Sequence, residues 1–262
     1  MMKTFTVIAR PDEISEHLKK RTEEDLVKAG FVVDDECPSY AIVIGGDGTF
    51  IYAVHHLMRK LERKLADVSF YGIHTGTLGF YTDYRDSDYD EFIETFIKGN
   101  VKEIDYPLLQ AIYDGEKHHA VNEIRIENAA RTQVMDVYIN GELFETFRGT
   151  GMCVCTQLGS TAYNRSLGGA VMQEGLRFLE LTEISGIHHS RFRSLDAPLI
   201  LKEDTVIEFK SASFDGALLG CDSDVYPLDG VNSVTMQICR SAKVRMLRGR
   251  EVSYFERLKS LF

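Results

Sequence analysis

Apolar positions along the chain fall into two textures. Over the first hundred residues, short apolar runs alternate with longer stretches whose apolar residues recur every three or four positions. The runs read as strands and the longer stretches as one face of a helix. Thr4 to Ala9, the short Phe31 to Val33, Ala41 to Ile44 and Val68 to Ile73 are the predicted strands. Pro11 and Asp12 open a helix through Ala29, stopped by Gly30, with Glu13, Glu16, Lys19, Lys20, Glu23 and Glu24 on a solvated face. Phe50, Val54, Leu57, Met58, Leu61 and Leu65 mark a second helix. Tyr89, Phe92, Ile93, Phe96 and Ile97 mark a third, capped by Ser87 and ended by Gly99. Strands alternating with helices predict a parallel sheet that binds ligands at its strand carboxyl ends.

From about Val101 the texture changes. PLLQAIYD, HHAVNEIRIEN, MDVYING, LFETFRG, MCVCTQ, APLIL, DTVIEFK, ALLGC and VNSVTMQIC are short β-like runs with few helical intervals. Asn140-Gly141 between two of them is a type I′ hairpin signal. This section reads as a β-sandwich or two packed sheets. Lys243 to Leu247 alternates again, and Val252, Phe255, Leu258 and Leu261 mark a terminal helix. The expected organisation is an α/β domain over 1–100, a β-rich domain over 101–240, and a tail over about 241–262 that returns to complete the first.

Composition narrows the partners. A net charge of −10 without any basic run argues against nucleic acid. No window approaches a membrane span, and the N-terminal apolar run is too short for a signal peptide. A cytoplasmic location is therefore expected. The five cysteines are odd in number and lack paired spacing, so reduced, buried thiols are expected rather than zinc or disulfides. Cys153 and Cys155 should share one face of a strand.

The candidate chemistry begins at AIVIGGDGTF, Ala41 to Phe50. A strand runs into Gly45, Gly46, Asp47, Gly48 and Thr49, and a helix opens just beyond. Such a turn brings backbone amides and a helix N-terminus to a phosphate. The plainer alternative is a tight βα turn with Asp47 as the cap. It is neither a dinucleotide GxGxxG nor a P-loop, since no Lys follows the glycines. A second glycine loop, HTGTLGF from His74 to Phe80, would wall this turn. It offers no second ligand at metal spacing. Further on lie the Asn122-Glu123 pair and the stretch RGTGMCVCTQLGSTAYNRSLGGA, Arg148 to Ala170, a small polar turn with one aromatic.

These motifs together resemble the NAD kinase family. GGDGT is shared more loosely with lipid kinases and phosphofructokinases. The GIHTGTLGF stretch, the Asn-Glu pair and GSTAYNRSLGG are similar to NAD kinase motifs in particular, and lipid kinases lack the last. The resemblance implies an N-terminal Rossmann-like domain, a β-sandwich-like second domain and an active site between them. It implies phosphoryl transfer from ATP, or from polyphosphate, to the 2′-hydroxyl of the adenosine ribose of NAD. Asp47 matches the catalytic position, and Gly45, Gly46, Gly48 and Thr49 the phosphate turn. Asn122 and Glu123 match the ribose- and base-binding pair. Thr161, Ala162, Tyr163 and Ser166 match the dinucleotide pocket, with His74, Phe80, Leu158 and Thr150 lining it. Arg148 and Ser185 match lesser contacts, and Asp222 a late acidic position near the reacting ribose. A divalent ion, Mg²⁺, would arrive with the donor, and a homodimer or homotetramer is expected.

The sequence also departs from the family pattern. Thr150 stands where Asp is common, Gln157 where Pro is common, and Ser223 where Gly or His is usual. A lipid-type kinase and a dinucleotide-binding sensor without activity are the alternative readings.

Overall fold

A computed structural model describes residues 3–188 and 193–262, with backbone only at 62 and 63. Two compact units divide the chain, Met1–Tyr106 with Ser241–Phe262, and Pro107–Arg240.

In the first unit, β1 (Thr4–Ala9), β2 (Val32–Val33), β3 (Tyr40–Ile44), β4 (Ser69–His74) and β5 (Tyr84–Arg85) are joined through α1 (Glu13–Lys28) and α2 (Asp47–Leu61), with α3 (Tyr89–Lys98) following β5. β1 pairs with both β2 and β3, and β4 pairs with both β3 and β5, all in parallel. The chain leaves β1 toward β2 and returns on the other side as β3, so the strand order reverses between β1 and β3. In parallel α/β sheets that reversal opens a crevice at the strand carboxyl ends. The tail re-enters this unit, where Arg245 and Met246 run parallel to Ser69 and Phe70.

Asp12 caps α1 by accepting from the Ser15 amide, and Gly30 ends it with φ +88°. α3 differs from the expectation at its start. Ser87 is not the cap, because a 3₁₀ turn over Asp86–Asp88 precedes the helix and Asp88 accepts from the Arg85 amide. The core beneath is aromatic. Tyr71 stacks on Phe92 at 4.5 Å, and Phe96 lies 5.2 Å from the same ring.

The second unit holds the β-rich section. β6 (Lys102–Tyr113) enters it and pairs with β7 (Glu116–Ala120). β8 (Glu123–Glu127), β9 (Gln133–Ile139), β10 (Glu142–Gly149) and β11 (Gly151–Cys155) follow. Then come the short α4 (Tyr163–Ser166), β12 (Phe178–Ile184), β13 (Leu199–Lys202), β14 (Ile207–Lys210), β15 (Leu218–Cys221), β16 (Asp224–Pro227) and β17 (Ser233–Arg248). One layer runs β10-β9-β14-β17 and the other β13-β12-β11-β8-β15-β16. Ile124, Ile126, Met152, Val154, Leu179 and Leu219 of the second layer meet Met135, Val137, Phe147, Phe209 and Met236 of the first in one core. Asn140 and Gly141 both take positive φ, +52° and +86°, as a type I′ turn requires.

Several expectations are corrected. HHAVNEIRIEN is two strands, broken at Val121-Asn122. VNSVTMQIC and the later alternation are one strand, β17. β12, which no run announced, is present. The terminal helix α5 is only Tyr254–Lys259, and its buried residue is Arg257, whereas Phe255 is 61% exposed. Cys37 is exposed, while the other four cysteines are buried and all five are free. Among the described residues no helix is long and apolar enough to cross a membrane.

The aromatic stack makes the first unit testable. Phe92→Ala should destabilise the protein by about 3–5 kcal/mol, as large core truncations do. A urea midpoint implying a loss below about 1 kcal/mol would remove the stack from the core.

Candidate functional site

The glycine turn sits at the carboxyl end of β3, beside the ends of β1 and β4. The Arg10 amide donates to Ile44 O at 2.8 Å and the Gly45 amide to Ile73 O at 3.0 Å. Gly45 has φ +153°, and a Cβ there would lie 2.4 Å from Thr49 Oγ1, so only glycine fits. Gly48 is exposed, with nothing within 4 Å of a Cβ position, so the first turn of α2 opens to a ligand.

Asp47 is the first residue of α2, but its carboxylate does not cap that helix in the expected way. Oδ1 accepts from the Phe80 amide at 3.1 Å and the Tyr81 amide at 3.2 Å, and Oδ2 accepts from the Phe80 amide at 3.0 Å. The carboxylate thus clamps the second glycine loop. Gly79 permits this approach, since a Cβ there would lie 2.2 Å from Asp47 Oδ1. His74 packs its Nε2 3.3 Å from the Cβ position of Gly46, and its buried Nδ1 has no hydrogen-bond partner. Burial lowers its pKa below the ordinary value, opposed by Asp47 and reinforced by Arg10 and Arg85, so it is neutral at pH 7.

Asn122, Glu123 and Asp222 form a cradle in the second unit. Asp222, at φ +51°, accepts from three consecutive amides: Val121 at 2.7 Å, Asn122 at 2.8 Å and Glu123 at 3.2 Å. This curls the chain where β8 begins. It accounts for the broken alternation that Val121, Ile124 and Ile126 show in sequence. Glu123 is 5% exposed, and its Oε2 has no hydrogen-bond partner. Desolvation pushes its pKa up to about 7, helped by Asp222 and opposed by Arg125 and the Tyr163 amide.

The stretch from Thr156 to Ala170 is fastened over the face of the sheet that carries Glu123, Arg125 and Glu127. The Thr156 amide donates to Asn122 O at 2.8 Å, and its hydroxyl to Val121 O at 2.7 Å. Gly159 lies so close that a Cβ would fall 2.1 Å from Asn122 O. Leu158 is buried in the 3₁₀ turn Leu158–Thr161, and Ala162 links that turn to α4. The hydroxyls of Thr161 and Ser166 donate to the carbonyls of Leu158 and Tyr163. Tyr163 donates to Glu127 Oε1 at 3.1 Å, and the Arg125 guanidinium lies 4.5 Å from its ring centroid. Asn164 anchors the whole. Its amide donates to Glu180 Oε2 at 2.9 Å, and its Oδ1 accepts from Thr182 at 2.7 Å.

Arg148, Thr150 and Ser185 form a separate group. The Ile187 amide donates to Arg148 O at 2.7 Å, and the Thr150 amide to Ile184 O at 3.0 Å. Gly149 gives Ser185 room, since a Cβ there would lie 2.6 Å from Ser185 O. Glu123 pairs with Cys155 and Glu127 with Gly151, and the Asn128 amide donates to Thr150 O, so Thr150 lies beyond the opposite end of β8 from Asn122, about 20 Å by strand rise. Among the described residues, the possible cation-holding group is Glu183, His188 and Asp196, and His188 Nε2 lies 3.0 Å from Asp196 Oδ1.

Sequence reasoning missed Arg10, which donates to Thr75 O at 3.2 Å, and did not single out Gly79 within the second glycine loop. The position of Arg10 directly after the first strand was the available signal. It also missed the Asn164–Glu180–Thr182 network.

Two outcomes test this geometry. Gly159→Ala should cost about 1–3 kcal/mol by overpacking. Gly48→Ala, in open helix, should gain about 0.5–1 kcal/mol. Equal urea midpoints for the two variants would contradict the geometry. Glu123 has a folded pKa above the unfolded value of 4.5, so its contribution is full below pH 4.5 and lost as pH rises through about 7. Glu123→Gln should therefore stabilise the protein by up to about 3 kcal/mol at pH 8 and not at pH 4.5. The same difference at both pH values would place Glu123 in water.

Comparison with known proteins fixes the family. Residues 2–101 match the family model described as the ATP-NAD kinase N-terminal domain, and 121–246 that of its C-terminal domain. The chain is 33% identical over 264 residues to NAD kinase 1 of Bacillus cereus, covering 98% of each. Its fold is similar to that of yeast NADH kinase complexed with NADH, with a TM-score of 0.75, 17% identity and coverage of 99% of this chain and 86% of that one. It is also similar to that of an NAD kinase from Archaeoglobus fulgidus in complex with ATP, with a TM-score of 0.74, 21% identity and coverage of 100% and 98%. Matched across both units and nearly end to end, the chain belongs to the NAD kinase family.

Proposed function

We propose that the chain phosphorylates NAD, transferring the terminal phosphoryl group of ATP to the 2′-hydroxyl of the adenosine ribose to give NADP. One observation carries the reading beyond family membership. The first unit holds a glycine-walled carboxylate at a strand carboxyl end, and the second holds a polar cradle whose buried carboxylate oxygen has no partner of its own. The first suits phosphate and a reacting hydroxyl. The second suits the amino group of a base or the hydroxyls of a ribose, because an acceptor left unpaired in a buried site is costly until a ligand donor reaches it.

In this reading Asp47 meets the 2′-hydroxyl. The O2′–H bond breaks toward the carboxylate, O2′ bonds to the terminal phosphorus, and the bond from that phosphorus to its bridging oxygen breaks to release ADP. Phosphoryl transfer of this kind depends chiefly on positioning and charge stabilisation. Three amide contacts fix the Asp47 carboxylate, leaving lone-pair capacity on Oδ2 for the hydroxyl. Asn122 and Glu123 hold the ribose and base, with Tyr163 covering them and Asp222 shaping the backbone beneath. Gly45, Gly46, Gly48 and Thr49 receive the donor phosphates. Thr150, Arg148 and Ser185 contact the far end of the dinucleotide, and a homodimer or homotetramer working in the cytoplasm completes the proposal.

A divalent ion fits this donor set. Mg²⁺ keeps several waters and binds chiefly through substrate phosphates, and Asp47 would meet it through one of those waters. When bound, the ion would neutralise charge on the donor phosphates. Polyphosphate, which presents the same chemistry, is a second donor under this proposal.

The test is purified protein with NAD, ATP and Mg²⁺, read by an NADP-dependent dehydrogenase. NADP should accumulate, and Asp47→Asn should lower turnover by about 10²–10⁴, the usual span for a lost general base. NAD affinity in that variant should change only modestly. Folded protein that binds NAD yet forms no NADP would make the chain a sensor. Turnover of Asp47→Asn within about threefold of wild type would remove Asp47 from the chemistry.

A further inference from the structure

Arg257 is 4% exposed on a short terminal helix, whereas Phe255 is 61% and Phe262 93% exposed. A helix docked for apolar burial would do the reverse. Taking a guanidinium out of water costs several kcal/mol unless its donors are matched. The match lies in residues 79–83. Arg257 Nη1 donates to Gly79 O at 3.0 Å and also to Thr82 O, and Nη2 donates to Asp83 Oδ1. Arg248 donates through Nη2 to Phe80 O and through Nη1 to Asp83 Oδ1, each at 3.1 Å. The Gly249 amide reaches Asp83 Oδ2 at 2.9 Å, and Arg250 Nε reaches Asp83 O at 2.8 Å.

Two of these carbonyls share peptide units with the amides that bind Asp47. Gly79 O and the Phe80 N–H belong to one peptide plane, and Phe80 O and the Tyr81 N–H to the next. Each plane is rigid, so fixing its oxygen fixes the direction of its N–H. Arg257 holds the first plane and Arg248 the second, and both N–H groups point at the Asp47 carboxylate. A cation on the carbonyl also polarises the amide and strengthens its bond.

We propose that Arg257, with Arg248, is a positioning residue for phosphoryl transfer, setting the orientation of the Asp47 carboxylate through these two peptide planes. The terminal segment then acts on catalysis through the loop of residues 79–83. The inference rests on the role assigned to Asp47 above.

A double-mutant cycle tests it on the full chain. Arg257→Met leaves Asp83 paired with Arg248, so the buried charge keeps a partner. It should lower kcat by about 10- to 100-fold, the scale of a small misplacement, with KM for NAD within about twofold. Arg257→Lys should fall between this variant and wild type, and it serves the same cycle if Arg257→Met does not fold. In an Asp47→Asn background, the Arg257 change should cost less than about twofold, because its route runs through that carboxylate. Equal losses in both backgrounds, or wild-type kcat in folded Arg257→Met, would overturn the inference while leaving Asp47 in place. Wild-type turnover in Asp47→Asn alone would overturn both.

Discussion

The Asp47 carboxylate bonded to the amides of Phe80 and Tyr81 is the contact on which the first unit's chemistry depends. It joins two loops at neighbouring strand ends. That juncture requires the parallel register of β3 and β4, the φ of Gly45 and the absence of a side chain at Gly79. An acidic side chain held by backbone donors cannot swing away, so in the proposed reaction it would meet the substrate hydroxyl in one orientation. Such preorganisation is what phosphoryl transfer asks of a protein, since the covalent chemistry belongs to the phosphate.

The second unit uses the same device. Asp222 gathers the amides of Val121, Asn122 and Glu123, and the curl it makes presents Asn122 and Glu123 at the start of β8. Thr156 and Gly159 close on the same peptide from the other side. Asp222 looks in sequence like one more group aimed at ligand. In the fold its two oxygens are engaged by the backbone, and what it arranges is the chain of its neighbours.

Much of this was legible in the chain. Periodicity gave the first strands and helices closely, because each buries a simple apolar pattern. The glycine turn was legible because glycines before a helix have few other uses. β12 was not, since its apolar alternation covers only Leu179 and Leu181 before Glu183 breaks it, and only the fold shows that the Glu180 carboxylate is consumed by Asn164 and the Ala170 amide. The terminal helix misled for the opposite reason. Its apolar stripe suggested a buried face, but the decisive side chain is Arg257, and its partners are carbonyls that no sequence pattern records. Ser87 likewise resembles a cap, although a 3₁₀ turn precedes α3 and puts Asp88 at the cap position, where its side chain accepts from the Arg85 amide and does not cap the helix.

Hydrogen exchange at the Phe80 and Tyr81 amides tests the central contact most directly. In the wild-type protein both should be protected. In Asp47→Ala both should exchange about 5- to 150-fold faster, the equivalent of about 1–3 kcal/mol for a lost hydrogen bond to a charged group, while Ile42 and Val43 in β3 stay unchanged. Unaltered exchange at Phe80 and Tyr81 in that variant would mean that the carboxylate does not hold the loop, and the account built on it would be wrong.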